Sequence, residues 1–203
     1  IEDDLAESLR CIGNFYDAAD PVAFEHVLQL VLEQALHNTT VHVDLLDSNG
    51  EALVTNLAYT FTDLRTDVHD PQWFHTMRWG NAPDTVYVDP LPTYRVTVHS
   101  LPPATLDSVV LKPGVHNTVT VPEMGQGHVQ PQFARGIRTD YGAFDVSWHQ
   151  SGECHPFFTS PVGHELRLRT GEYDVFFPTH PPTWVRNVAV RENSHALVEI
   201  PGP

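Results

Sequence analysis

Tyr94-Arg95-Val96-Thr97-Val98-His99-Ser100-Leu101-Pro102-Pro103 returns 79 residues later as Tyr173-Asp174-Val175-Phe176-Phe177-Pro178-Thr179-His180-Pro181-Pro182. The correspondence continues without a gap, placing Val109 with Val188, His116 with His195 and Pro122 with Pro201. A repeat legible at one fixed offset predicts two copies of one structural unit with the strand register preserved. Within each copy apolar and polar residues alternate, as in Val109, Leu111, Val119 and Val121, or Val188, Val190, Val198 and Ile200. That is the period of a strand with one buried face. The Pro-Pro pairs cannot donate to a sheet ladder and mark a crossing between strands.

Outward from the repeat, Thr40 to Leu46 alternates as Val41, Val43 and Leu45, and Asp47-Ser48-Asn49-Gly50 reads as a hairpin turn in which Asn-Gly supplies positive φ. Ala52–Phe61 and Thr85–Asp89 continue the meander, and Ala143–Trp148 and Glu165–Leu168 take those parts in the second copy. Strands at roughly 8–12-residue intervals predict a β-sandwich. The expected architecture is mainly β, with a helical segment over 1–38, module one over 39–124 and module two over 125–203. Met124-Gly125-Gln126-Gly127 forms a junction too short for free swivelling, so the modules are expected to share an interface. The Gly171-x-Tyr173-x-Val175 pattern resembles transthyretin-like and related bacterial β-sandwich repeats.

Ahead of the modules, Leu5, Leu9 and Ile12 predict a short helix ended by Gly13, and Asn14–Ala18 a short strand. Asp20 is a good N-cap and Pro21 suits the first position of a longer helix. Phe24, Val27, Leu28, Val31, Leu32 and Ala35 give that helix one wide apolar face, expected to be buried, and Asn38 marks its end. The run from Ala6 through Asn14-Phe15-Tyr16-Asp17-Ala18-Ala19-Asp20-Pro21 to Leu36 resembles the closing helix–strand–helix of a von Willebrand factor type A domain, over about a fifth of the chain. The β-rich remainder resembles the tail of bacterial surface or periplasmic proteins that carry such a domain. The resemblance implies that the rest of a type A domain lies upstream. The family's metal-ion-dependent adhesion site needs an Asp-x-Ser-x-Ser loop, which is absent, so no metal ligand is carried over.

Charge narrows the partners. Lys112 is the only lysine, and 26 acidic against 11 basic residues leave a formal charge of −15. Nucleic acid and anionic membrane both call for a basic footprint, which this chain lacks. No apolar run approaches the ~20 residues of a membrane-spanning helix. Cys11 and Cys154 are too few for a disulfide scaffold and are expected to be buried or paired outside the chain.

Chemistry-bearing residues are numerous but poorly patterned. Among 13 histidines, His149 with Cys154 and His155 offers soft zinc ligands without a fourth partner, and His69 and His75 flank an aromatic run. His116 and His195 occupy equivalent repeat positions, which predicts a shared structural role. Asp44, Asp47, Asn49 and Glu51 are oxygen-rich, but a turn accounts for them better than calcium does. No nucleophile motif or phosphate-binding glycine loop occurs. The expectation is therefore no catalytic residue, no cofactor and no metal. Trp73, Trp79, Phe176 and Trp184 are the candidate partner-binding aromatics, since aromatic rings give large contact area. Phe176 and Phe177 are adjacent in a strand and must point to opposite faces. Tyr94 and Tyr173, each two residues ahead of a core valine, are expected to be buried anchors whose hydroxyls bond backbone.

These readings point to an extracytoplasmic protein, whether periplasmic, surface-held or secreted, that acts as a stalk or assembly platform for a type A domain. A protein partner is expected and an oligomer is compatible. Recognition of carbohydrate or protein through exposed aromatics is the alternative, and a hydrolase the weakest rival.

Overall fold

The computed structural model describes residues 21–134 and 144–200. Among these residues one helix, α1 (Pro21–Asn38), precedes fourteen strands. The first seven are β1 (Thr40–Leu45), β2 (Leu57–Asp63), β3 (Trp73–His75), β4 (Val86–Tyr87), β5 (Thr93–Val98), β6 (Ala104–Val110) and β7 (His116–Val121). The second seven are β8 (Gln126–Phe133), β9 (Asp145–Gln150), β10 (Phe158–Pro161), β11 (Leu166–Arg169), β12 (Gly171–Phe177), β13 (Thr183–Val190) and β14 (His195–Ile200).

Each set of seven makes a two-sheet sandwich with the same strand order. Module one pairs β4-β1-β7 in one sheet and β3-β2-β5-β6 in the other, and module two pairs β11-β8-β14 and β10-β9-β12-β13. The first and last strands of each module run parallel, from Thr40 opposite His116 to Leu45 opposite Val121 and from His128 opposite His195 to Phe133 opposite Ile200. The alternation read from sequence is the alternation of burial. Val41, Val43 and Leu45 are buried while Thr40, His42 and Asp44 between them are half-buried, and Phe61, Val96 and Val98 join them in the first core. Trp148, Val146, Val175, Phe177 and Ile200 lie in the second core. Trp148 Nε1 donates to Ser160 Oγ at 3.0 Å, so the largest core ring hides no unsatisfied donor.

The duplication extends to irregular details. A register shift falls between Tyr94 and Val96 in β5, and the same shift between Tyr173 and Val175 in β12. Ser108 and Asn187, 79 residues apart, both adopt positive φ. Tyr94 and Tyr173 are each 3 % exposed, and their hydroxyls donate to the carbonyls of Asp89 and Arg169 at 2.8 and 2.9 Å. They are the buried anchors the sequence predicts. One pair is kept with its signs reversed: Arg95 meets Asp107 at 2.5 Å in module one, and Asp174 meets Arg186 at 2.7 Å at the matching positions of module two.

The modules are bound to each other directly. Leu101, at the Pro-Pro crossing of module one, packs against the core of module two. Its carbonyl accepts from Arg169 N–H at 2.7 Å, the Gly125 carbonyl accepts from Thr170 N–H at 2.8 Å, and Ser48 N–H donates to Glu192 Oε2 at 3.1 Å.

Three expectations are corrected. Asp47–Gly50 is a turn but not a hairpin: β1 pairs with β4 and β7, so the chain here crosses from one sheet to the other. Gly50 takes φ of 83°, and the Asp47 carboxylate accepts from the Asn49 and Glu51 N–H groups at 2.8 and 2.9 Å. The strand expected from Ala52 begins only at Leu57, because Asn56 adopts φ of 62° and interrupts the extended backbone. The apolar face of α1 is not buried: Phe24 is 57 % exposed, Leu28, Val31 and Leu32 are exposed and Val27 is half-buried, because each sandwich already fills its core from its own strands. The short helix and strand expected over residues 4–18, and Cys11, lie outside the described residues. Among the described residues no helix is long and apolar enough to cross a membrane.

Candidate functional site

The outer face of the β10-β9-β12-β13 sheet gathers aromatic and charged side chains in module two. After the register shift in β12, Val175 and Phe177 turn inward and Phe176 turns out. Phe176 stands directly opposite Trp184 on β13, with ring centroids 4.9 Å apart. The Arg186 guanidinium lies 4.0 Å above the Trp184 ring, a cation–π contact, and the His149 ring meets the same indole edge-on at 4.9 Å. His149 is 5 % exposed and its Nδ1 has no hydrogen-bond partner.

Beneath this layer Asp174 is 2 % exposed. Burial by itself would raise its pKa. The Asn187 N–H, the Arg186 guanidinium and the Gly152 N–H donate to the carboxylate and outweigh burial, holding the group below the ordinary carboxylate value. The anion fixes Arg186, and Arg186 in turn braces the indole. The result is a preorganised flat apolar surface with a planar cation on it, suited to the face of a sugar ring or to an aromatic or acidic side chain.

Module one presents a different chemistry on the equivalent face. Thr60, Thr62 and Thr97 stand where module two has Ser147, His149 and Phe176. With His69, Asp70 and His99 they line a groove of about 630 Å³. Burial, and then the nearby Asp89, raise the Asp70 pKa above its ordinary value. The duplicated sheet has thus diverged into one polar and one aromatic face.

Of the four aromatics singled out from sequence, the structure brings together only Phe176 and Trp184. Trp73 is half-buried against the first core. Trp79 is fully exposed at a turn where Arg78 N–H bonds the Ala82 carbonyl, in module one and apart from the Phe176–Trp184 pair. Arg186 carries no signal of its own in the sequence, although it sits two residues from Trp184 and so on the same strand face, and His149, a zinc candidate by sequence, is placed instead against the indole.

The remaining candidates resolve individually. His75 is buried in the first core, with Nε2 2.9 Å from the Val43 carbonyl and Nδ1 3.3 Å from Thr55 Oγ1, and burial lowers its pKa. Cys154 is an exposed free thiol rather than a buried one. His149, Cys154 and His155 do not converge: among the described residues the group of potential ligand atoms that does is His128, Glu165 and His195. His195 is there, stacked on His128, and its repeat counterpart His116 is likewise stacked on a histidine, His42.

No protein-family model and no curated protein matches the chain in sequence. The chain aligns, at low TM-score, with solved structures. The Bacillus anthracis TIE protein aligns with 80 % of this chain at 7 % identity and a TM-score of 0.29, and a streptococcal ancillary pilin with 79 % at 13 % identity and a TM-score of 0.35. The alignments cover 34 % and 62 % of those chains, so this chain spans less than two thirds of either.

Proposed function

We propose that this protein is a non-catalytic, extracytoplasmic spacer and assembly platform, in which two docked β-sandwich modules carry an upstream domain at a fixed orientation. The junction is the observation that supports this reading. Strands β7 and β8 are separated only by Pro122–Gly125, and Leu101, Arg169, Thr170 and the Ser48–Glu192 pair tie the modules together. A linker that short, reinforced by backbone hydrogen bonds, removes the swivel that ordinary interdomain contacts leave. The segment Arg169–Gly171 receives module one, and its counterpart on module one, Asp89–Pro92, is open, with Leu91 70 % exposed and Leu64 beside it. That open surface and the uncovered apolar face of α1 fit a further domain, which we propose to be of von Willebrand type A.

Spin labels on one exposed residue of each module, read by pulsed dipolar spectroscopy, test the junction. A single narrow distance distribution is expected, and a broad one would refute a rigid spacer. Fractionation of the source cells tests the location, with a cytoplasmic pool as the adverse result.

The Phe176–Trp184–Arg186 surface supports a second reading, a carbohydrate- or protein-binding face carried on the spacer. Screening on a glycan array, with Trp184→Ala as the control, should show a ligand lost in the variant. Binding that persists in Trp184→Ala would place recognition elsewhere.

A further inference from the structure

The outer face of the β11-β8-β14 sheet holds a cluster that no spacing in the sequence announces. His128 and His195 stand opposite each other on the parallel pair β8 and β14, their rings stacked at 5.1 Å with planes 7° apart. Glu165, one residue ahead of β11, reaches both: Oε1 lies 2.5 Å from His128 Nδ1 and Oε2 lies 3.3 Å from His195 Nε2. One ligand atom from each of the three lies within 4.8 Å of the others. We propose that His128, Glu165 and His195 bind one divalent transition-metal ion of the zinc class, joining β8, β14 and the start of β11.

The donor set supports the ion class. Two imidazole nitrogens and one carboxylate oxygen suit zinc and its neighbours, while magnesium and calcium call for oxygen ligands. A tetrahedral ion with bonds of ~2.0–2.2 Å separates its ligand atoms by ~3.3–3.6 Å. The His195–Glu165 separation already meets that spacing, and the His128–Glu165 contact must open by about 1 Å. Glu165 and His195 are exposed and His128 is half-buried with its side chain 41 % accessible, so side-chain rotations can open this contact, turn the stacked rings toward one ion and leave a fourth position open to water. The backbone beneath them is fixed, with His128 N–H bonded to the Ser194 carbonyl at 2.8 Å. Arg167, opposite His128 in register, is the adverse charge, set against the carboxylate and the strongly acidic chain.

Module one supplies an internal control. His42 and His116 also stack on the parallel pair, at 4.8 Å, but there His42 Nδ1 lies 2.6 Å from His116 Nε2 and His116 Nδ1 lies 2.8 Å from Thr40 Oγ1. Asp44 touches only the far nitrogen of His42, at 3.5 Å, and by strand register Thr85 stands where module two has Glu165. Only the histidine of the last strand is shared by position: in the parallel register Thr40 stands where module two has His128, and His42 where it has Gln130, and the bridging carboxylate belongs to the second module. This departs from the sequence expectation of no metal, because ligands at 128, 165 and 195 follow no recognisable spacing.

The test is titration of chelator-treated full chain with zinc chloride, by calorimetry and by melting temperature. One zinc per chain and a rise of a few degrees in the module-two transition are expected. His195→Ala and Glu165→Gln should each weaken binding by about tenfold or more, as loss of metal-site partners does. His116→Ala and Cys154→Ser should leave it unchanged. All four side chains are exposed, and circular dichroism without metal confirms that each variant is folded. Absence of stoichiometric binding, binding that survives His195→Ala and Glu165→Gln, or loss of binding in Cys154→Ser or His116→Ala would overturn the proposal.

Discussion

In a Gly127→Ala variant the new methyl carbon would lie 2.2 Å from the backbone carbonyl oxygen of Arg191 and 2.9 Å from Val190 Cγ1. Carbon and oxygen do not approach so closely without a bond, so the turn between β13 and β14 must move by about 1 Å. That turn is held by a compact set of bonds. The Arg191 carbonyl accepts from Ser194 N–H at 3.2 Å and from Ser194 Oγ at 2.6 Å, Asn193 N–H donates to the Gln126 carbonyl at 2.9 Å, and His128 N–H to the Ser194 carbonyl. Weakening two of these at ~1 kcal/mol each, on top of an overpacking cost of ~1–3 kcal/mol, gives a loss of about 3–5 kcal/mol. For a module of this size each kcal/mol lowers the melting temperature by ~4–8 °C, so the module-two transition should fall by at least about 12 °C in calorimetry. Gly125→Ala is the comparison. Its methyl would meet Ser48 Oγ at 2.7 Å and the Glu192 carboxyl at 3.0 Å, which are ends of flexible side chains. It should cost less than ~1 kcal/mol and act on the Ser48–Glu192 link. A Gly127→Ala variant melting within about 2 °C of the parent would refute the reasoning.

Tyr173→Phe should cost ~1 kcal/mol, the net worth of its bond to the Arg169 carbonyl, and Tyr173→Ala ~3–5 kcal/mol, both read from urea unfolding. Equal losses would mean that the ring is not the anchor. Trp184→Ala should cost no more than ~1 kcal/mol, the order of an exposed cation–π contact, whereas Trp148→Ala should cost ~3–5 kcal/mol and orphan Ser160. The folded-state pKa of Asp174 is depressed, so its contribution is present above the unfolded value of ~3.9 and is lost as pH falls through the folded value. Asp174→Asn should flatten the acid limb of stability below about pH 4, and an unchanged limb would refute the assignment. His75 has a lowered pKa and prefers to be neutral, so its contribution is full above ~6.5 and declines as pH drops from there to the folded value. His75→Gln should remove that decline in the module-one transition.

The part of the fold carried by strict alternation was legible in the sequence, because the side-chain period of a strand is fixed by geometry. Val41, Val43 and Leu45, the tyrosine anchors, and the outward turn of Phe176 beside a buried Phe177 all followed from it. Sheet neighbours were another matter. Nothing local in Thr40–Leu45 says that its partners are β4 and β7, so from sequence alone Asp47–Gly50 reads as a hairpin turn. The α1 face shows a different failure, since periodicity states which residues would be buried but not whether this chain supplies the cover. At the candidate sites, Trp184 and Phe176 stood out by residue type, whereas His128, Glu165 and His195 are brought together only by the sheet. The Arg95–Asp107 and Asp174–Arg186 pairs were readable at the 79-residue offset, but only by comparing charge between copies rather than likeness.

The parallel pairing of β1 with β7, and of β8 with β14, has a mechanical consequence. Because the two strands point the same way, the chain enters each module at one end of the pair and leaves at the other. Tension along the chain therefore drags the two strands past each other lengthwise. The interstrand bonds over the register from Thr40–His116 to Leu45–Val121 share that load and must fail nearly together, whereas a hairpin pulled at its open end unzips one bond at a time. Each module is thus held in shear by its own first and last strands, and an ion bridging His128 and His195 would rivet the second pair across the line of slip.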